Sequence, residues 1–114
     1  MRLVEQALGD LPRVIQEALE NVAVVVEEWP DDELIAEMGL QSRDELFGLY
    51  QGTPLVEREG EPLLPDRIVL FQRPIELVCA SDDEVVWQVR LTVLHEVGHH
   101  LGMKEEDLDR LGYG

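Results

Sequence analysis

An α+β fold is the class this sequence predicts, and three patterns carry it. Apolar residues recur at helical spacing near the start of the chain, at Leu3, Val4, Ala7 and Leu8 and again at Leu11, Val14 and Ile15. Apolar and β-branched runs at Val22–Val26 and Ile68–Phe71 then read as strands. A long helical pattern follows from about Asp82 to Leu101. At 114 residues the chain reads as one domain, 1–114, able to bury about two thirds of its unfolded surface.

Taken in order, Leu3, Val4, Ala7 and Leu8 form the stripe of a first helix that Gly9 stops. Asp10 is placed to cap a second, with Pro12 in its first turn and Leu11, Val14, Ile15, Ala18 and Leu19 as its buried side. Between Asn21 and Trp29, the run Val22-Ala23-Val24-Val25-Val26 predicts a strand covered on both faces. Asp31 and Asp32, after Pro30, start a short helix to Met38 that Gly39 closes. Ser42 and Glu45 have capping-box spacing and lead into Leu46–Tyr50, a strand or the approach to one.

Gly52, Pro54, Gly60, Pro62 and Pro65 are too much punctuation for a helix between Gln51 and Asp66. Leu55–Arg58 and Glu61–Leu64 suit a small exposed hairpin there, with Pro62 arguing for an edge. Arg67–Arg73 is the next strand, and Pro74–Ala80 a turn or short helix in which the lone Cys79 reads as buried filler. Ser81 and Glu84 repeat the capping-box spacing, and Asp82 and Asp83 sit at the positive end of the long helix. Gly102 is where left-handed backbone would end that helix.

Twenty-five acidic against nine basic residues leave a formal net charge of −16. Such a field repels phosphate backbones and anionic membranes, so neither nucleic acid nor a membrane is an expected partner. It favours cationic peptides or simply keeps the protein dissolved. No apolar run approaches the roughly 18 residues of a membrane helix, and no basic-then-apolar leader opens the chain, so a cytoplasmic location is expected. One cysteine excludes a disulfide framework.

The chemistry concentrates in Val93-Leu94-His95-Glu96-Val97-Gly98-His99-His100-Leu101-Gly102. On a helix, His95 and His99 lie only about 40° apart in azimuth and about 6 Å apart in rise, so both imidazoles can share one metal. Val85, Val86, Val89, Val93, Val97 and Leu101 gather on one side as a core face, while Gln88, Thr92, His95 and His99 line the other as a cleft face. Glu96, about 60° round from His99, is where a general base reaches a water held by the metal.

A catalytic zinc site usually takes three protein ligands and keeps one position open. Glu105 is the first choice for the third, with Glu106, Asp107 and Asp109 as close competitors. His100 falls nearer the apolar face and is expected to be a core histidine or a hydrogen-bonded support of the site. Tyr50, Tyr113 and Arg110 would stabilise an oxyanion only if the fold brings them to the metal.

The run His95-Glu96-x-x-His99-x-x-Gly102-x-x-Glu105 resembles the long zinc signature of the metzincins. Together with Gly48-Leu49-Tyr50-Gln51-Gly52 and Asn21-Val22-Ala23-Val24-Val25-Val26, it is similar to a family of small bacterial zincin-like metallopeptidases. That resemblance covers nearly the whole chain and implies a minimal zincin fold: a short mixed sheet packed on an active-site helix and N-terminal helices. The family typically carries Asp at the Glu105 position.

The expected function is therefore a zinc-dependent peptidase. One Zn²⁺ per chain would be held by His95, His99 and Glu105, and Glu96 would act as general base on a metal-activated water. The substrate would be a peptide or protein, bound as an added strand at a sheet edge beside the cleft. Two alternatives are a metal-stabilised protein-interaction module without catalysis and an antirepressor-type regulatory peptidase.

Overall fold

A computed structural model describes residues 2–52 and 66–110 of the chain, Glu105 by its backbone alone. The hairpin expected between Gln51 and Asp66, Leu111 and Tyr113 lie outside the described residues. The first helix, α1 (Arg2–Gly9), buries Val4 and Ala7. The second, α2 (Arg13–Ala18), buries Ile15 behind Leu11 but leaves Val14 exposed, so its apolar stripe is narrower than the sequence implied. Asp10 does not cap α2, whose preceding Pro12 makes no side-chain cap; its carboxylate instead pairs with Arg90. The Gln16 amide holds the turn, donating to the carbonyls of Gly9 and Leu11 at 3.0 Å each.

Strand β1 (Val22–Glu27) is formed by the valine run, but it is half buried and, among the described residues, lies at an edge of the sheet. That corrects the expectation of a strand covered on both faces. β-Branched composition favours a pleated, half-buried surface and does not say where in the sheet a strand sits. After it, α3 (Asp32–Glu37) starts where the Asp31 carboxylate accepts from the Leu34 amide at 2.8 Å, and Gly39, at φ +70°, closes it. The Ser42–Glu45 capping box is present around a single 3-10 turn, Arg43–Glu45. It delivers the chain into β2 (Gly48–Gln51).

The sheet order is β1-β3-β2, with β3 (Asp66–Phe71) pairing parallel to β1 and antiparallel to β2. The sheet is thus short and mixed, and the fold is α+β, as expected. Four consecutive buried residues mark β3 as its centre. Ile68 and Leu70 join the main core with α1, α2 and the long helix, while Val69 and Phe71 join a smaller cluster with Ile35 and Leu46 on the other face. The strand stops at Phe71, two residues sooner than expected, because α4 (Gln72–Val78) begins at once; Pro74 falls in its first turn, where a missing N–H leaves nothing unpaired.

The long helix α5 (Asp82–His100) starts where Ser81 Oγ accepts from the Glu84 amide at 3.3 Å. The Glu84 carboxylate reaches back to the Ala80 amide rather than to Ser81, a near variant of the expected box. Its far end is a Schellman turn: Gly102, at φ +82°, donates to the His99 carbonyl at 3.0 Å, and Met103 to the Gly98 carbonyl at 2.7 Å. The helix packs against α1, α2, α4, β2, β3 and a last helix, α6 (Glu105–Arg110).

A simple two-faced helix does not survive that enclosure. Val85, Val86, Val89, Val93 and Val97 are buried as expected, but so are Thr92, Leu94 and Gly98, while Leu101 is exposed. Among the described residues, no helix is long and apolar enough to cross a membrane.

Candidate metal centre and cleft

The sequence places His95 and His99 one turn apart on α5, and their rings lie 6.0 Å apart between centroids, inclined at 76°. His95 is half buried; His99, nearer the end of the helix, is exposed. His95 Nδ1 lies 2.8 Å from the Leu91 carbonyl. A carbonyl only accepts, so Nδ1 must carry the proton, and the ring's acceptor lone pair is on Nε2. A main-chain carbonyl in this position is the usual partner that fixes the tautomer and orientation of a metal-ligating imidazole.

Glu96 is half buried beside this pair. Burial pushes its carboxyl above the ordinary carboxylate range, and the imidazoles of His99 and His95 draw it partly back. A carboxylate raised in this way is a better proton acceptor near neutral pH than an exposed one. Two imidazoles with a base between them are a donor set that suits a borderline-soft divalent ion such as zinc.

Leucine, phenylalanine and glycine from the end of the capping-box turn form the facing wall. Leu46, Phe47 and Gly48 stand across from Gln88, Leu91 and Thr92, enclosing a cleft of about 330 Å³ that ends at His95 and Glu96. At Gly48, β2 packs tightly on α5: a Cβ there would lie 2.6 Å from Thr92 Cγ2, and 3.1 Å from the Val69 carbonyl oxygen of β3. Only glycine permits that approach. The Phe71 amide donates to the Phe47 carbonyl at 2.9 Å, so by antiparallel alternation the next residue, Gly48, directs its own N–H and C=O away from β3. Among the described residues β2 is therefore the sheet edge beside the cleft.

The candidates for further roles separate cleanly. Tyr50 does not line the cleft; its hydroxyl donates to Asp66 Oδ2 at 2.7 Å and its ring stacks on His100 at 4.0 Å. His100 is exposed, with Nε2 3.9 Å from the same Asp66 oxygen, so it is not a core histidine; the last turn of α5 has outrun the core and offers the ring an aromatic partner instead. Arg110 pairs with Asp107 at 3.3 Å. Cys79 is half buried, and burial, with Glu84 nearby, pushes its thiol up, which suits filler rather than a nucleophile.

For the third ligand, Asp107 is already engaged, accepting from the Lys104 amide at 2.9 Å at the start of α6. Glu106 and Asp109 are exposed on that helix. Glu105 opens α6 three residues beyond Gly102, and its side chain lies outside what the structure describes. Among the described residues no group of three His, Cys, Asp or Glu side chains is assembled to hold a metal.

Sequence reasoning found Gln88, Thr92, His95 and His99 on the cleft stripe but gave no role to Leu46, Phe47 or Leu91. Only Leu91 carried a signal, one turn before His95; the other two come from a distant segment. Among curated proteins no match to the chain is found. A family model described as zincin-like metallopeptidase matches residues 19–114, from just before β1 through α6. That span takes in the whole sheet, α5 and the cleft between them, and the chain belongs to the zincin-like metallopeptidase family.

Proposed function

We propose that the protein is a zinc-dependent peptidase, with His95, His99 and Glu105 as ligands and one Zn²⁺ per chain. The observation that carries this reading is the placement of His95 and Glu96 in a cleft bordered by β2, an edge strand among the described residues. Zinc, when bound, supplies Lewis acidity toward a carbonyl and toward water. The chain's own groups do the rest.

Gly48 presents N–H and C=O groups along the cleft, so an extended peptide pairs with β2 as an added strand and brings its backbone to the helix. Glu96, its carboxyl raised by burial, takes a proton from the attacking water and passes it to the departing amine. His95 is kept in one tautomer by Leu91 throughout.

Glu96→Gln preserves size and removes the base. Zinc-loaded Glu96→Gln should keep the wild-type metal content and lose hydrolysis of a mixed peptide library by about 100-fold or more, the span general-base catalysis supplies. Retained cleavage in the variant would refute the mechanism.

A further inference from the structure

We propose that Tyr50, Asp66 and His100 form a clamp that fixes the last turn of α5 on the sheet and so positions His99 to bind metal. This rests on the metal-centre part of the peptidase reading and adds positioning residues to it. The need for such a device follows from where the core stops. The buried residues of α5 end at Gly98, and both His99 and His100 are exposed. Helix ends fray unless contacts outside the helix hold them. A metal shared by two imidazoles one turn apart needs that final turn formed, because affinity falls with the fraction of molecules in which it is.

His100 carries that turn to the sheet. Its ring stacks on Tyr50 with centroids 4.0 Å apart and planes inclined at 19°. Tyr50 is itself secured: it lies opposite Ile68 in the β2–β3 register, packs on the main core, and donates from its hydroxyl to Asp66 Oδ2 at 2.7 Å. Asp66 is the first residue of β3, so the clamp joins the end of α5 to two strands. His100 Nε2 stands 3.9 Å from the same oxygen, beyond hydrogen-bond reach, so the ring is held by its face and needs no charge. The clamp is also one of two seats. Gly48 and Tyr50 share a face of β2, and Thr92 packs at Gly48 as His100 does at Tyr50. Thr92 and His100 are about two helical turns apart, and His95, Glu96 and His99 all lie between them. Near the first seat His95 is oriented by Leu91; His99 adjoins the second.

The test is zinc affinity of the full chain, measured by competition with a chromogenic chelator. His100→Ala removes the stacked ring and should weaken zinc binding about tenfold, within the range that contacts behind a ligand supply. His100→Phe keeps a ring for Tyr50 and should bind as wild type does. Asp66→Asn still accepts from the Tyr50 hydroxyl and should also match wild type, whereas Asp66→Ala should lie between wild type and His100→Ala. Cobalt adds a readout that lost stability alone would not move. At saturating cobalt the visible spectrum of the bound ion, which reports its coordination geometry, should change in His100→Ala and stay that of wild type in His100→Phe. Wild-type affinity in His100→Ala would overturn the clamp and leave the metal centre intact. Equal loss in His100→Phe and His100→Ala would overturn it in favour of a direct role for the His100 imidazole.

A second measurement needs no metal. Amide hydrogen exchange in the metal-free protein reads the opening of the last turn directly. Protection factors at His99 and His100 should be about two- to tenfold lower in His100→Ala than in wild type or His100→Phe, the change one aromatic pair makes to a local opening. Those of Val93 and Val97, in the core, should be unchanged. Unaltered protection in His100→Ala would overturn the clamp whatever the metal does. A fall in protection as expected, in a protein that binds neither zinc nor cobalt, would support the clamp and count against the metal centre.

Discussion

Leu91 orients His95 through a main-chain atom, so substitution of the Leu91 side chain leaves the tautomer of His95 in place. Such outer contacts usually change metal affinity by about 10–100-fold when lost, and loss of a ligand itself costs more. Glu105 is therefore testable against its neighbours. Removal of its carboxylate, as Glu105→Ala, should weaken zinc binding beyond that 10–100-fold range, measured by competition with a chromogenic chelator, while helix content by circular dichroism stays the same. Glu106→Ala and Asp109→Ala, both exposed on α6, should bind zinc as wild type does. Equal affinity in Glu105→Ala and wild type would move the ligand role to another residue. Asp107 is the least suited, since it holds the Lys104 amide that starts α6.

Two glycines decide how elements meet, and they should respond differently to a methyl group. At Gly48 the added Cβ meets the buried, β-branched Thr92 and a backbone oxygen, neither of which yields easily. Overpacking of this kind costs about 1–3 kcal/mol. With about 4–8 °C per kcal/mol for a domain of this size, Gly48→Ala should lower the thermal midpoint by about 10 °C, and Thr92→Ser in the same chain should recover part of it. Failure of the second change to recover anything would mean that Thr92 is not the obstacle. At Gly98 the obstacle is Leu108 Cδ2, 2.8 Å from a built Cβ, the far end of a flexible chain on α6. Alanine there also favours the helix by roughly 0.5–1 kcal/mol, so Gly98→Ala should be the milder of the two.

For the whole molecule, the question is whether metal holds the fold or only serves it. The helix that carries His95 and His99 is capped at both ends by protein groups and packed against α1, α2, α4, α6 and the sheet. Its buried valines, Val85 to Val97, join the main core without the histidines. Chelation should therefore lower the midpoint by the binding term alone, RT ln(1 + [L]/Kd), and leave the protein folded at room temperature. Collapse of circular dichroism on adding chelator would instead favour the metal-stabilised interaction module, in which zinc supplies folding energy.

The sequence by itself determined what is local. Helix limits followed from caps and stops within a few residues: Asp31 and Ser81 at starts, Gly39 and Gly102 at ends, each acting on backbone groups of its own turn. The pairing of His95 with His99 followed from helical period alone, and the α+β class from the periods of the runs. What only the tertiary structure decided is set by long-range contact. Which strand is covered on both faces depends on what packs there, and β3, rather than the valine run of β1, is the one so covered. The Asp10 carboxylate found Arg90, eighty residues away, in preference to a nearby amide. The far wall of the cleft, Leu46 to Gly48, meets α5 because Gly48 leaves room for the Thr92 side chain, and no periodicity in either segment encodes a contact between them.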